Sequence, residues 1–155
     1  LVFGGKRIDE HSYEAGGGFF FDQYRQDQVV GMMHTDVNGQ RHAGFCVWDR
    51  PDMPITEWTA RCVPVFDMPD GPEKEAALAQ LRKERLIETT RVFMGKTTNR
   101  DACLNLYDVQ GNLRLRLVVR ADGTPAIECL NEQGEVTERF PSAKSDIPST
   151  TPQSG

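Results

Sequence analysis

Residues 18–51 read GFFFDQYRQDQVVGMMHTDVNGQRHAGFCVWDRP, and this stretch decides the fold. Asn38-Gly39 separates two apolar-rich runs, and this dipeptide accepts the positive φ angles of a type I′ turn joining antiparallel strands. Centring the turn there sets a register in which Val37 faces Gln40, Met32 faces Phe45 and Val30 faces Val47. Val30, Met32, Ala43, Phe45 and Val47 then share one face, which the pattern assigns to the core. The other face carries Val29, Gly31, Met33, Cys46 and Trp48. It too is apolar, so the sequence calls for a further layer, a partner or a ligand to cover it.

Upstream, Leu1 to Gly5 reads as a strand remnant and Lys6 to Gly17 as a polar connection without periodicity. The chain opens on Leu-Val-Phe-Gly-Gly with no initiator Met, the expectation for a fragment or a processed form. Downstream, the period changes. Ile55, Trp58 and Cys62 stand at helical spacing and predict one short helix over 52–63, ended by Pro64. Asp70-Gly-Pro-Glu offers an N-cap, an early proline and an acidic first turn for a second helix running to about Leu86. Its narrow stripe of Ala77, Leu78, Leu81 and Arg85 places it on a sheet surface with most sides wet.

Strands return at Thr89 to Lys96. The pair 104–108 and 112–119 then closes about Gln110-Gly111, with Leu104, Leu106, Leu113, Leu115 and Leu117 on one side and Asn105, Tyr107, Arg114 and Arg116 on the other. At Ala121-Asp122-Gly123 a two-residue loop would set Leu117 against Glu128. A three-residue loop with left-handed Gly123 instead sets Leu117 against Ile127 and Leu115 against Cys129, and the pattern selects the longer loop. A turn over 131–134 leads to a last strand holding Val136 and Phe140. From about Lys144 the Ser/Thr/Pro-rich tail is expected to be disordered.

Asp36-Val37-Asn38-Gly39 is echoed by Asp108-Val109-Gln110-Gly111, and Ala43, Phe45 and Val47 fall on Leu115, Leu117 and Val119 with the same parity. Weaker echoes follow at Ala-Asp-Gly and Glu-Gln-Gly, the spacing of a meander. The expected fold is therefore mainly β, an antiparallel meander forming a barrel or sandwich. A single domain spans 1–143, a helical insertion at about 54–87 divides two hairpin-bearing halves, and 144–155 is the tail.

The runs GGGFFFDQYRQDQVVG, AGFCVWDRP, RVFMGK and LYDVQGNLRLRLVVRADGTPAIECLNEQGEV resemble a group of uncharacterised bacterial β-rich proteins. Members carry an N-terminal hydrophobic segment, so the resemblance implies an extracytoplasmic domain tethered to a membrane in the full-length protein. It implies no activity.

At 155 residues the chain can bury about two-thirds of its unfolded surface without a disulfide or metal. Its net charge of -5 argues against general affinity for nucleic acid or an anionic membrane. No apolar run is long enough to span a bilayer as a helix. Cys46, Cys62, Cys103 and Cys129 lie far apart with no C-x-x-C pair, which reads as free thiols.

His34, Asp36 and His42 are close in sequence, but the register turns the two imidazoles to opposite faces, so no metal is expected. No Gly-x-Ser-x-Gly elbow is present, and Cys46 in an apolar strand would be inert. Asp22 and Asp27 offer paired carboxylates whose convergence nothing in the spacing requires.

Two stretches remain as candidate ligand or partner contacts: Asp22, Tyr24, Arg25 and Asp27 in a polar corner, and Trp48, Asp49 and Arg50 at a strand end. Each reads first as local bracing, the first of a bulge or corner and the second of a hinge. Arg114, Arg116 and Arg120 line one strand side, a solvated face or an anion site. The sequence favours a non-catalytic, self-associating interaction or structural module without a cofactor. The alternative is a β-barrel binding a small apolar ligand, with enzymatic activity an extension of it.

Overall fold

Nine strands follow one another in chain order across a single antiparallel sheet. They are β1 (Val2–Arg7), β2 (Tyr13–Asp22), β3 (Gln28–Val37), β4 (Gln40–Asp49), β5 (Thr89–Lys96), β6 (Ala102–Tyr107), β7 (Leu113–Val119), β8 (Pro125–Leu130) and β9 (Val136–Phe140). Helices α1 (Ile55–Phe66) and α2 (Pro72–Lys83) interrupt the meander between β4 and β5. The computed structural model describes residues 2–7, 9 and 11–142, so the expected tail at 144–155 lies outside the described residues. Among these residues β1 and β9 do not pair, and the sheet is open.

The turns explain the register. Asn38 (φ 52°) and Gly39 (φ 83°) form the type I′ connection, and Val37 pairs with Gln40, Met32 with Phe45 and Val30 with Val47, as the sequence predicts. Three later turns share a longer form. The Asp108 amide donates to the Asn112 carbonyl at 2.9 Å and the Gly111 amide to the Asp108 carbonyl at 3.0 Å, and the pattern recurs at 120–124 and 131–135. Gly111, Gly123 and Gly134 supply the left-handed residue of each. The three-residue loop at Gly123 pairs Leu117 with Ile127 and Leu115 with Cys129. Asp108 Oδ1 and Asn131 Oδ1 each accept two amides of their own loop, so an acidic or amide side chain holds the turns at Gly111 and Gly134.

Four expectations need correction. The 6–17 segment is not a loop throughout, because β1 and β2 occupy most of it and pair from Val2 with Gly18 to Arg7 with Tyr13. The run of Gly16, Gly17 and Gly18 hides the alternation on which a strand is recognised. Pro64 lies inside α1 and does not end it. Sitting in the last turn, it removes one hydrogen bond from the helix and leaves its N-terminal side intact. The N-cap of α2 is Gly71, whereas the Asp70 carboxylate pairs with Lys74 at 3.0 Å. Finally, α2 does not lie on the sheet. It packs on α1, around buried Cys62, Leu81 and Leu86 with Met53, Trp58, Val65 and Ile87. The Trp58 indole N–H donates to the Leu86 carbonyl at 2.6 Å and closes this small core.

The fifth correction concerns the sheet itself. Gly31 and Cys46, on the face left unassigned by the pattern, are buried, and Met33 and Trp48 beside them are half-buried. Met32, expected in the core, is 60% exposed. The two faces of the first hairpin are therefore reversed. Glycines allow this, since Phe20 lies over Gly18 and Gly31, Trp48 over Gly31 and Phe93 over Gly44. A Cβ built at Gly44 would stand 2.4 Å from the Phe93 ring, so large aromatics shelter this face by lying flat where neighbours have no side chain.

Candidate functional site

Strand pairing lines up Phe19, Met32, Phe45, Met94, Leu104, Leu117, Ile127 and Phe140, one from each of the strands β2 to β9. A parallel row beside it contains Phe21, Val30, Val47, Val92, Leu106, Leu115 and Cys129, ending at Glu138. Together they make an apolar band across eight strands in which Glu138 is the only charged residue. Among the described residues no helix lies over it, since α1 and α2 pack on each other. Phe21 is 67% exposed, Met94 53% and Phe140 70%. A soluble single chain rarely leaves so continuous an apolar surface uncovered. Toward β9 the band dips into a groove of about 470 Å³ lined by Met94, Leu104, Leu117, Val119, Ile127 and Phe140.

The opposite face is finished differently. Its central row runs Phe20, Gly31, Cys46, Phe93, Asn105, Arg116, Glu128 and Arg139. Glu128 is 1% exposed, and Arg120 at 2.7 Å, Arg139 at 2.8 Å and Arg116 at 3.5 Å surround its carboxylate. Burial works to raise its pKa, but the guanidinium groups of Arg120, Arg116 and Arg139 more than offset that and hold it below the ordinary 4.5. Arg116 and Arg120 therefore serve a buried carboxylate, and Arg114 faces Asp108 at 3.6 Å and Glu132 at 3.9 Å. Sequence reasoning missed Glu128 and Arg139. The signal was present, because a glutamate on the inner parity of β8 faces an arginine on each neighbouring strand.

The polar corner fastens the helical insertion to the sheet. Buried Gln26 donates from Nε2 to the Met53 carbonyl at 3.1 Å, and the Ile55 amide donates to the Arg25 carbonyl at 2.8 Å. Arg25 acts through its backbone at φ 59°, and Tyr24 is 89% exposed. Asp27 accepts the Gln28 amide at 2.9 Å and lies 3.8 Å from Arg50, while Asp22 ends β2 exposed to solvent. Arg50, with its side chain 10% exposed, also pairs with Glu88 and donates to the Gln28 carbonyl at 2.7 Å. Asp49 binds Arg91 at 2.7 Å. Arg50 thus joins both ends of the insertion to the start of β3, and it brings Asp27 together with Arg50. Trp48 lies elsewhere, over Gly31 on the sheltered face.

His34 and His42 fall on opposite faces, and His42 stacks on Phe93 with ring centroids 4.7 Å apart. Asp36 is occupied by Arg41 at 2.7 Å, by the Tyr13 hydroxyl at 3.0 Å and by the Gly39 amide. Among the described residues no group of three or more His, Cys, Asp or Glu side chains could hold a metal ion, and no helix is long and apolar enough to cross a membrane. All four cysteines are free thiols, and burial pushes the pKa of Cys46, Cys62 and Cys103 up, away from nucleophilic use. Compared with protein-family models, with curated proteins and with solved structures, the chain matches none of them.

Proposed function

We propose that this chain is a non-catalytic interaction module that self-associates through the apolar face of its meander sheet. The unbroken row from Phe19 to Phe140 supports this reading. A sheet apolar on one face is stable when a second layer covers it, and among the described residues the helices supply that layer to neither face. A second copy would supply it by stacking sheet on sheet about 10 Å apart, with side chains of the two rows interleaved. Each half-exposed Phe, Met or Ile withdrawn from water contributes roughly 1–2 kcal/mol before the cost of association. Seven apolar residues on the rows are more than a third exposed and available to such a contact.

Sedimentation velocity tests it. The wild-type chain should sediment as a dimer at about 10 µM. The double variant Phe19→Lys, Met32→Lys, which leaves the groove lining untouched, should sediment as a monomer with an unchanged far-ultraviolet circular dichroism spectrum. A wild-type monomer at about 100 µM would remove the reading.

The groove near Phe140 favours a second reading, in which a small apolar ligand occupies that end of the face. The two separate cleanly. A fatty-acid probe that binds the monomeric double variant and is lost on Leu117→Lys would favour the ligand, and binding to neither would favour the pair.

A further inference from the structure

A cleft of about 730 Å³ opens where the end of α2 meets the β6–β7 turn, away from the apolar face, and Arg82, Lys83, Arg85, Thr89, Thr90 and Tyr107 line it. Three exposed cations share its wall in a chain whose net charge is -5. Among the described residues none of the three has a side chain ion-paired or hydrogen-bonded at contact distance. Lys83 feels Glu84, but that carboxylate is already bound by Gln80 and Arg61. The one carboxylate on the cleft wall, Glu88, is bound by Arg50.

The helix dipole accounts for basic residues in the last turn, and so for Arg82 and Lys83. It does not account for Arg85. That residue lies beyond the C-cap Glu84 at φ 56°, a conformation glycine adopts freely and arginine does not. Arg25 and Arg100 share that conformation, and Arg85 differs from them in lining an open cleft beside two further cations, a grouping that points to a ligand able to answer the charge. Hydroxyls complete the lining. Tyr107 accepts from Asn105 Nδ2 at 3.3 Å and so keeps its own proton to donate, and Thr89 and Thr90 both donate and accept.

We propose that this cleft binds a phosphate monoester of a small polyhydroxylated alcohol. The dianionic head sits on Arg82, Lys83 and Arg85, where two guanidinium forks and an ammonium match its three terminal oxygens. The hydroxylated body faces Thr89, Thr90 and Tyr107. A bounded cleft on an acidic protein suits a small ester, whereas a nucleic acid needs a continuous basic strip. This inference does not rest on self-association, because the cleft shares no residue with the two apolar rows.

Isothermal titration calorimetry of the whole chain with glucose 6-phosphate tests it, with glucose and inorganic phosphate as separate arms. Saturable binding of the ester, none of glucose, and weaker binding of phosphate are expected. Arg85→Gly should weaken ester binding about ten-fold while the melting temperature holds or rises, because glycine suits that φ. Arg100→Gly relieves the same backbone conformation at the other end of the sheet (φ 69°) and should leave binding unchanged. No heat of binding at about 10 mM ester would overturn the proposal. So would an Arg85→Gly variant that binds like wild type, and equal affinity for inorganic phosphate would overturn the assignment to an ester.

Discussion

The two faces of the meander are made from one alternating sequence and are finished in opposite ways. On one, glycines let Phe20, Trp48 and Phe93 lie flat, and three arginines close over Glu128. On the other, Leu, Met, Phe and Val stand in rows with no helix above them among the described residues. Apolar content alone therefore does not decide which face is interior. The sheltered face is the one whose large side chains meet neighbours small enough to lie across, and whose charges are paired.

If that contrast holds, adjacent residues on opposite faces should respond differently. The largest effect is expected at Gly95. A Cβ there would stand 2.1 Å from the Ala43 carbonyl oxygen and 2.6 Å from the Gly44 Cα, both backbone atoms that cannot step aside. Gly95→Ala should cost about 3 kcal/mol or more, read as a lower urea midpoint.

Glu128→Gln comes next. It leaves three guanidinium groups around an uncharged amide, and since they are one-third to one-half exposed the loss should be about 2 kcal/mol at neutral pH. The pH dependence has a definite sign. A carboxyl held below its unfolded value of 4.5 contributes stability that is complete above that value and disappears as pH falls through the lower folded value. Urea midpoints of wild type and variant should therefore converge below about pH 4. A constant gap down to pH 2 would remove the ion cluster from the account.

The smallest effect is expected one residue from Gly95. Met94→Ala removes a side chain that is 53% exposed, and in the monomeric background it should change stability by less than about 1 kcal/mol. The same change in the wild-type background should raise the dimer dissociation constant several-fold, by sedimentation equilibrium. A large loss of monomer stability would mean that something in the chain covers this face after all.

Much of the sheet was legible because its turns carry their own chemistry. Asn38-Gly39 fixed three pairings and Gly123 two, all of them found in the sheet. The β1–β2 pair was not legible, since Gly16, Gly17 and Gly18 have no side chains to alternate. Which face was sheltered could not be read either, because in the first hairpin Val30, Met32 and Phe45 are as apolar as Met33, Cys46 and Trp48. That distinction depends on ring orientation over glycines and on Glu128 finding Arg139 across a neighbouring strand. The polar corner was recognisable as unusual, but the partners of Gln26 and Arg25 lie in the Met53 to Ile55 segment, which no spacing rule links to it.

The helical insertion begins and ends on neighbouring strands, Asp49 lying opposite Thr89. The meander thus continues through it as if it were one more hairpin turn, and every other strand pair closes a short loop. Chain connectivity is therefore weakest in one place. A nick between α1 and α2 would divide the molecule into two halves, each a run of hairpins, whose reunion requires that β4 find β5 and that α1 repack on α2. The seam of this protein as a fragment-complementation system is already written into its topology.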